Sequence, residues 1–290
     1  MQSYSTAQHE LIDEIDQAVT ALGKINPLTN TDYARSLDIF EAASDQRLSL
    51  IDWISAKAVA HLPQEAASIL SIGCGAGTFD AQIFQSAKAT ASAVHYLGID
   101  PNPEAAAAFK ARLSELADDQ DRIDVLAEPF GTRPLDDSFD LILMIQSLYY
   151  FDDRPGAIDA AIDQLRPGGQ LAIAMAPDEA LNVVANLIWQ NQMDRPSWFS
   201  HNVQEHFADR DLTVDVVRLP SRLTLPKAFD CADNRTRDIL NFTIQTDIQA
   251  LPESLSRQIL AFLESCTIID NGTTHLPHPV DLFRFVKPGG

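Results

Sequence analysis

Ile69-Leu70-Ser71-Ile72-Gly73-Cys74-Gly75-Ala76-Gly77-Thr78-Phe79-Asp80 is the stretch on which the fold turns. An apolar strand runs into three glycines at alternate positions and then into a helix. Glycine accepts backbone angles that other residues resist, and it removes side chains that would block a ligand. In an open α/β sheet such a turn stands at the carboxyl end of the first strand, where ligands bind. A dinucleotide fingerprint would need its third glycine at position 78, which is Thr78, and no Gly-Lys-Ser/Thr follows to make a phosphate-binding loop. The G-x-G-x-G spacing suits an amino acid and a ribose better than a pyrophosphate.

Working outward, residues 94–99 form a second strand that ends at Asp100, a carboxylate placed to accept hydrogen bonds from both ribose hydroxyls. Asn102 and Pro103 start a helix whose buried face is expected to carry Phe109, Leu113 and Leu116. Strands follow at 123–126, 139–145 and 170–175, with a helix over 155–165 closed by Pro167-Gly168-Gly169. Glu128 and Phe130, just after the third strand, are candidates for the amino group and the face of an adenine ring. Strands alternating with helices predict a mainly parallel sheet covered on both faces. Amphipathic helices over 6–22 and 46–61 precede it. Helices over 181–193, 234–247 and 253–264 and strands over 212–219 and 280–286 follow. The expected architecture is α/β with a mainly parallel seven-stranded sheet. Residues 1–62 form an N-terminal helical cap and 63–290 a Rossmann-like domain with a helical insertion at about 220–266, all one structural unit. No Gly-, Ser- or Pro-rich linker divides the chain.

Hydrophobic residues make up 46% of the chain, enough for a full core. Its longest apolar runs are far too short to span a bilayer. The first ten residues carry no basic or apolar leader, and Cys74, Cys231 and Cys266 form no CxxC pair. A cytoplasmic protein without a metal and without membrane contact is therefore expected. The formal net charge of −20 repels phosphate backbones and argues against nucleic acid as a substrate. His201 and His206 lack metal-ligand spacing, and His275 and His278 are candidates for a base. Oligomeric state stays open between monomer and homodimer.

Polar groups cluster directly after the fourth strand. In Met144-Ile145-Gln146-Ser147-Leu148-Tyr149-Tyr150, Gln146 offers a donor and an acceptor, and the tyrosines offer aromatic faces suited to a cation or a ring. The glycine spacing resembles motif I of class I methyltransferases. Together with the Met-Ile-Gln-x-Leu-Tyr-Tyr block, it resembles histamine N-methyltransferase and its relatives. A weaker likeness runs from about Tyr33 to Val286, taking in Asp230 and residues 238–242. The resemblance implies S-adenosyl-L-methionine as cofactor and transfer of its methyl to a nitrogen of a small-molecule amine. It implies that Gly73, Gly75, Gly77, Asp100 and Ile145 hold the cofactor. Gln146, Tyr149 and Tyr150 would line the acceptor pocket, with Gln146 and Tyr149 orienting the acceptor and Tyr33 closing over it. Two positions depart from the family: Gln46 stands where it has an amine-binding glutamate, and His278-Pro279 where it has an asparagine. O- or S-methylation by the same fold, a nicotinamide-dependent oxidoreductase and a cofactor-binding module without turnover are the alternatives.

Overall fold

A computed structural model describes residues 4–193 and 197–289. Helices α1 (Thr6–Ala21), α2 (Asn30–Ala43) and α3 (Gln46–Lys57) come first, then a 3-10 turn at Val59–His61. The alternating part runs β1 (Ala67–Ile72), α4 (Thr78–Lys88), β2 (Val94–Ile99), α5 (Pro103–Ser114), β3 (Arg122–Leu126), β4 (Phe139–Ile145), a 3-10 turn (Leu148–Tyr150), α6 (Arg154–Asp163) and β5 (Leu165–Met175). Then follow α7 (Leu181–Gln192), α8 (Ser200–Asp209), β6 (Asp215–Leu219), β7 (Arg222–Leu225), α9 (Asn234–Ile244), a 3-10 turn (Ile248–Ala250) and α10 (Glu253–Ser265). Strands β8 (Ile268–Asp270), β9 (Thr273–Pro277) and β10 (Val280–Val286) close the chain.

The chain divides into two compact units. One comprises Leu48–Met175, Asn202–Arg218 and Asp281–Gly290. It holds a seven-stranded sheet in the order β3-β2-β1-β4-β5-β10-β6. Strands β3, β2, β1, β4 and β5 are mutually parallel, and β10 runs antiparallel to β5. Every residue of β1 is buried, as a parallel strand covered on both faces requires. The winding reverses between β1 and β4, which leaves a crevice beyond their carboxyl ends. This is the Rossmann-like sheet expected from the sequence. Helix α5 begins as predicted, with the Asn102 side chain accepting from the Glu104 and Ala105 amides and Pro103 in the first turn. Phe109 and Leu113 are buried, but Leu116 lies past the helix end and is 38% exposed. Its helical spacing continued after the helix had stopped.

The other unit comprises Met1–Arg47, Ala176–His201 and Leu219–Val280. Its core is one apolar cluster drawn from α1, α2, α7, α9 and α10, among them Ile15, Phe40, Val184, Ile239 and Phe262. A three-stranded antiparallel sheet, β7-β9-β8, adds Leu223, Leu225 and Leu276 to it. The division at 62/63 expected from sequence falls inside the first-described unit, which begins at Leu48 within α3. The N-terminal helices and the late insertion form one body, because the apolar stripe of α1 (Ile15, Val19) is buried in the same cluster as α10. The insertion is also not purely helical. It contains β7, which pairs with β9, and the β8–β9 hairpin just beyond it turns at Asn271-Gly272, both with positive φ, the residue pair that a tight two-residue β-turn favours. Asn30 opens a further helix, α2, with Thr29 as its cap. Among the described residues, no helix is long and apolar enough to cross a membrane.

Candidate cofactor and acceptor site

The turn after β1 takes the shape its glycines permit. Gly73, Gly75 and Gly77 all have positive φ, at 74°, 54° and 73°. The Gly73 and Cys74 amides both donate to the Ile99 carbonyl, at 2.8 and 3.2 Å, which fastens the turn to the end of β2. The three glycines do different work. A Cβ on Gly73 would overlap the Ser147 side chain, so β1 and the segment after β4 approach as closely as they do because residue 73 has none. A Cβ on Gly77 would meet the Phe109 ring at 2.8 Å, so this glycine lets α5 pack under the turn. A Cβ on Gly75 would meet nothing within 4 Å, so here the backbone itself borders open space.

Asp100 follows β2 directly, and its carboxylate is bonded into the turn. Its Oδ2 accepts from the Gly75 amide at 2.9 Å and its Oδ1 from the Asn102 amide at 2.9 Å. Each carboxylate oxygen carries more than one acceptor position, so both retain capacity for a further donor. The carboxylate thus orients the turn and presents its remaining lone pairs beside it. Arg112 of α5 braces the other side: its guanidinium donates to the Ala76 carbonyl and, at 3.1 Å, to the Thr78 hydroxyl. The Cys74 thiol is pushed up by burial, with the charges of Asp80 and Asp100 adding to the effect.

Beyond β3, Glu128 is ion-paired with Arg133 at 2.8 Å, and Phe130 is half-buried. At the end of β4, Ile145 is half-buried, and just beyond it Gln146 has a φ of 53°, a left-handed conformation unusual for a residue with a side chain. The Gln146 amide N–H donates to Ala174 at 3.0 Å, so the next strand holds this conformation in place. The Tyr149 hydroxyl donates to Gln146 Oε1 at 2.7 Å, and the Tyr149 and Tyr150 rings meet edge to face at 6.5 Å. Tyr150 is 60% exposed. Gly73, Gly75, Gly77, Asp100, Ile145, Gln146, Tyr149 and Tyr150 therefore all lie at or just past the carboxyl ends of β1, β2 and β4. Sequence reasoning missed Ser147 and Arg112. Ser147 is buried with no hydrogen-bond partner for its hydroxyl among the described residues. No local signal marks it, since its role comes from the pairing of β1 with β4.

Tyr33, Gln46 and His278 belong to the other unit. Tyr33 packs on Phe242, ring centroids 5.4 Å apart, and Phe242 in turn lies 4.6 Å from Phe40. Gln46 is buried, and its amide nitrogen donates to the carbonyls of His278 and Pro279 at 2.9 and 3.4 Å. His278 is buried against Phe40, and its Nδ1 lies 2.8 Å from the Ser44 hydroxyl. That hydroxyl also accepts from the Gln46 amide at 3.1 Å, so it ties the His278 ring to the start of α3. Burial holds the imidazole down at about 4, against a weaker upward pull from Asp45. Gln46 and His278 thus form a neutral structural joint between the start of α3 and the β9–β10 turn.

Residues 70–171 match the family model described as a methyltransferase domain. Over 123 residues the chain is 31% identical to the tRNA U34 carboxymethyltransferase of Shewanella halifaxensis, a stretch covering 42% of this chain and 36% of that protein. Over 106 residues it is 35% identical to the methyltransferase GfsG of Streptomyces halstedii, covering 37% of this chain and 36% of the other. The matched part thus spans about a third of the length of these relatives. Among solved structures, the YcgJ protein of Bacillus subtilis superposes with a TM-score of 0.55 at 16% identity, over 83% of this chain and 98% of that one. A candidate methyltransferase of Bacillus halodurans does so at 0.53 and 14% identity, over 81% and 98%. The fold is that of the class I methyltransferases. Within it, residues 70–171, from β1 into β5, carry the methyltransferase-domain sequence pattern.

Proposed function

We propose that the protein is an S-adenosyl-L-methionine-dependent methyltransferase acting on a nitrogen of a small-molecule amine. The observation that carries this is the turn after β1: three glycines in left-handed geometry, with the Asp100 carboxylate bonded to the middle one. The residues present fit the cofactor. The backbone at Gly75 is open to an approaching ligand, and Asp100 has acceptor capacity for a ribose diol. Glu128 and Phe130 stand past β3, where the adenine would lie, and Ile145 ends β4. When bound, the cofactor supplies a methyl already activated on a sulfonium.

The protein's part is then position and environment. Gln146, locked by Tyr149, orients the acceptor, and Tyr149 and Tyr150 supply an aromatic wall that excludes water. The acceptor nitrogen must be neutral to attack. Gln146 and Tyr149 would hold its lone pair toward the sulfonium methyl that the bound cofactor would supply. The likeness to histamine N-methyltransferase at residues 144–150 supports an amine. The glutamine at position 46, where the resembled family has an amine-binding glutamate, supports an acceptor other than histamine. A net charge of −20 weighs against RNA, the substrate class that one relative's name implies.

Calorimetry with S-adenosylhomocysteine and with NAD tests the cofactor. Binding of the first alone is expected, and binding of NAD alone would overturn the reading. Asp100→Ala should weaken S-adenosylhomocysteine by about 1–3 kcal/mol, the cost of charged hydrogen bonds; an unchanged affinity would remove Asp100 from the site. A methyl-transfer assay over amines, carboxylates and thiols should show turnover with amines. Turnover confined to a hydroxyl, carboxylate or thiol acceptor would instead give O- or S-methylation.

A further inference from the structure

Ser147 carries a buried hydroxyl that the fold leaves unbonded. The residue is 5% exposed, and its Oγ is shielded from solvent without a hydrogen-bond partner among the described residues. It holds the N-cap position of the 3-10 turn Leu148–Tyr150, where a serine side chain ordinarily takes a backbone amide, yet it makes no such bond. The side chain lies instead against Gly73: a Cβ on that glycine would stand 2.4 Å from the Ser147 Cβ and 3.2 Å from its Oγ. Backbone donors around it are spent elsewhere. The Gly73 and Cys74 amides go to the Ile99 carbonyl, the Gln146 amide to Ala174 and the Tyr150 amide to the Ser147 carbonyl. A buried polar group left unpaired loses its hydration and gains no bond, a net cost to the fold. Departures of this kind are expected at functional sites.

We infer that Ser147 is a cofactor-binding residue whose hydroxyl oxygen accepts a hydrogen bond from the ammonium group at the amino-acid end of the ligand. The inference deepens the proposed cofactor reading and rests on it. In that reading adenine lies past β3 and the ribose past β2, on Asp100. The sheet order β3-β2-β1-β4 then sets the amino-acid end past β1, between Gly73 and the segment after β4. Of its two charges, the carboxylate suits the amino end of α4, whose N-cap Gly77 offers no side-chain bond. The ammonium is left on the Gly73 side of the turn, beside Ser147. A hydroxyl oxygen has two acceptor positions, and rotation about Cα–Cβ carries it between staggered positions toward a ligand. The unpaired hydroxyl and the missing Cβ at residue 73 are then parts of one device, in which the glycine makes room for a group that the ligand satisfies.

The test is calorimetry of S-adenosylhomocysteine, and of the same compound without its amino group, on the wild type and on Ser147→Ala. The expected result is about tenfold weaker S-adenosylhomocysteine binding by the variant, with the desamino compound changed by less than about twofold, as loss of one hydrogen bond to a charged group predicts. Ser147→Ala should at the same time raise the urea midpoint of the ligand-free protein, because it deletes an unpaired polar group. A merely structural serine would not join a gain in stability to a loss confined to one ligand. No loss of affinity, or equal loss for both compounds, would overturn the inference. A lower midpoint would do so too, since the hydroxyl would then be bonded within the fold. Failure of the wild type to bind S-adenosylhomocysteine would instead sink the cofactor reading itself.

Discussion

The glycine turn and the body built from the N-terminal helices are held by interactions of different reach. At the turn, Gly75 meets a carboxylate 25 positions away and Ala76 a guanidinium 36 positions away. In the other unit, Gln46 bonds to a residue 232 positions away, Gln8 to one 257 away and Arg35 to one 203 away. The first region is written by one β-α-β-α segment, so its chemistry sits in contiguous sequence. The second is closed by three separate segments, and ordering distant parts of a chain carries an entropic cost that its buried core must offset. The turn should therefore answer sharply to single backbone changes, and the other unit to loss of buried volume.

The largest effect expected from this contrast is on stability. Phe262 is fully buried in the core shared by α1, α2, α7, α9 and α10. Phe262→Ala should cost about 3–5 kcal/mol in urea unfolding, the usual range for such a cavity. S-adenosylhomocysteine affinity should hold within about twofold if the turn is stabilised by its own short-range bonds. A large loss of affinity would show that the two regions do not respond separately.

Next in size is a pair of changes within the turn. Gly73→Ala adds a methyl that overlaps Ser147 at a φ of 74°. It should cost about 3 kcal/mol, from overpacking and left-handed backbone together. Gly75→Ala adds a methyl that touches no protein atom, so it should cost only about 1–2 kcal/mol of backbone strain. Its effect should fall instead on ligand affinity, measured by calorimetry on the folded variant. Equal stability losses at the two positions would contradict the division of labour among the glycines.

These differences explain what could be read without coordinates. The alternation of strands and helices, the cap at Asn102 and the glycine turn rest on signals within a few dozen residues, and the structure has them, with Asp100 directly after β2. Helix α2, the β7-β9-β8 sheet and the joining of residues 1–47 with 219–280 were not legible. Their apolar faces are satisfied only by partners that no local period reveals. Gln46 and His278 show the same limit. Alignment with the family set them at positions where it has polar acceptor ligands, and only the structure shows them buried and bonded through two backbone carbonyls.

That joint gives a pH prediction with a definite sign. The buried His278 imidazole is held down at about 4, below the ordinary value near 6.5 that it regains on unfolding. Between those values the unfolded chain takes up a proton that the folded one refuses. The contribution of His278 is therefore complete above about pH 6.5 and declines as pH falls toward 4, by about 3 kcal/mol at most. Urea midpoints at pH 7.5, 6 and 5 should show this slope in the wild type, and His278→Gln should flatten it. An identical slope in the variant would mean that carboxylates elsewhere set the acid limit.

The smallest expected effect bears on the acceptor end. Tyr149→Phe removes one hydroxyl, the donor to Gln146 Oε1, and leaves the aromatic wall and the Gly73–Asp100 turn untouched. A neutral hydrogen bond contributes about 1 kcal/mol, so turnover should fall about fivefold. S-adenosylhomocysteine affinity should not move. The strained φ of Gln146 is held by its own amide bond to Ala174, so the backbone has no reason to relax when the hydroxyl goes. If affinity and turnover fell together, Tyr149 would be supporting the whole turn, and the line between a cofactor end set by β1 and β2 and an acceptor end set by β4 would have to be redrawn.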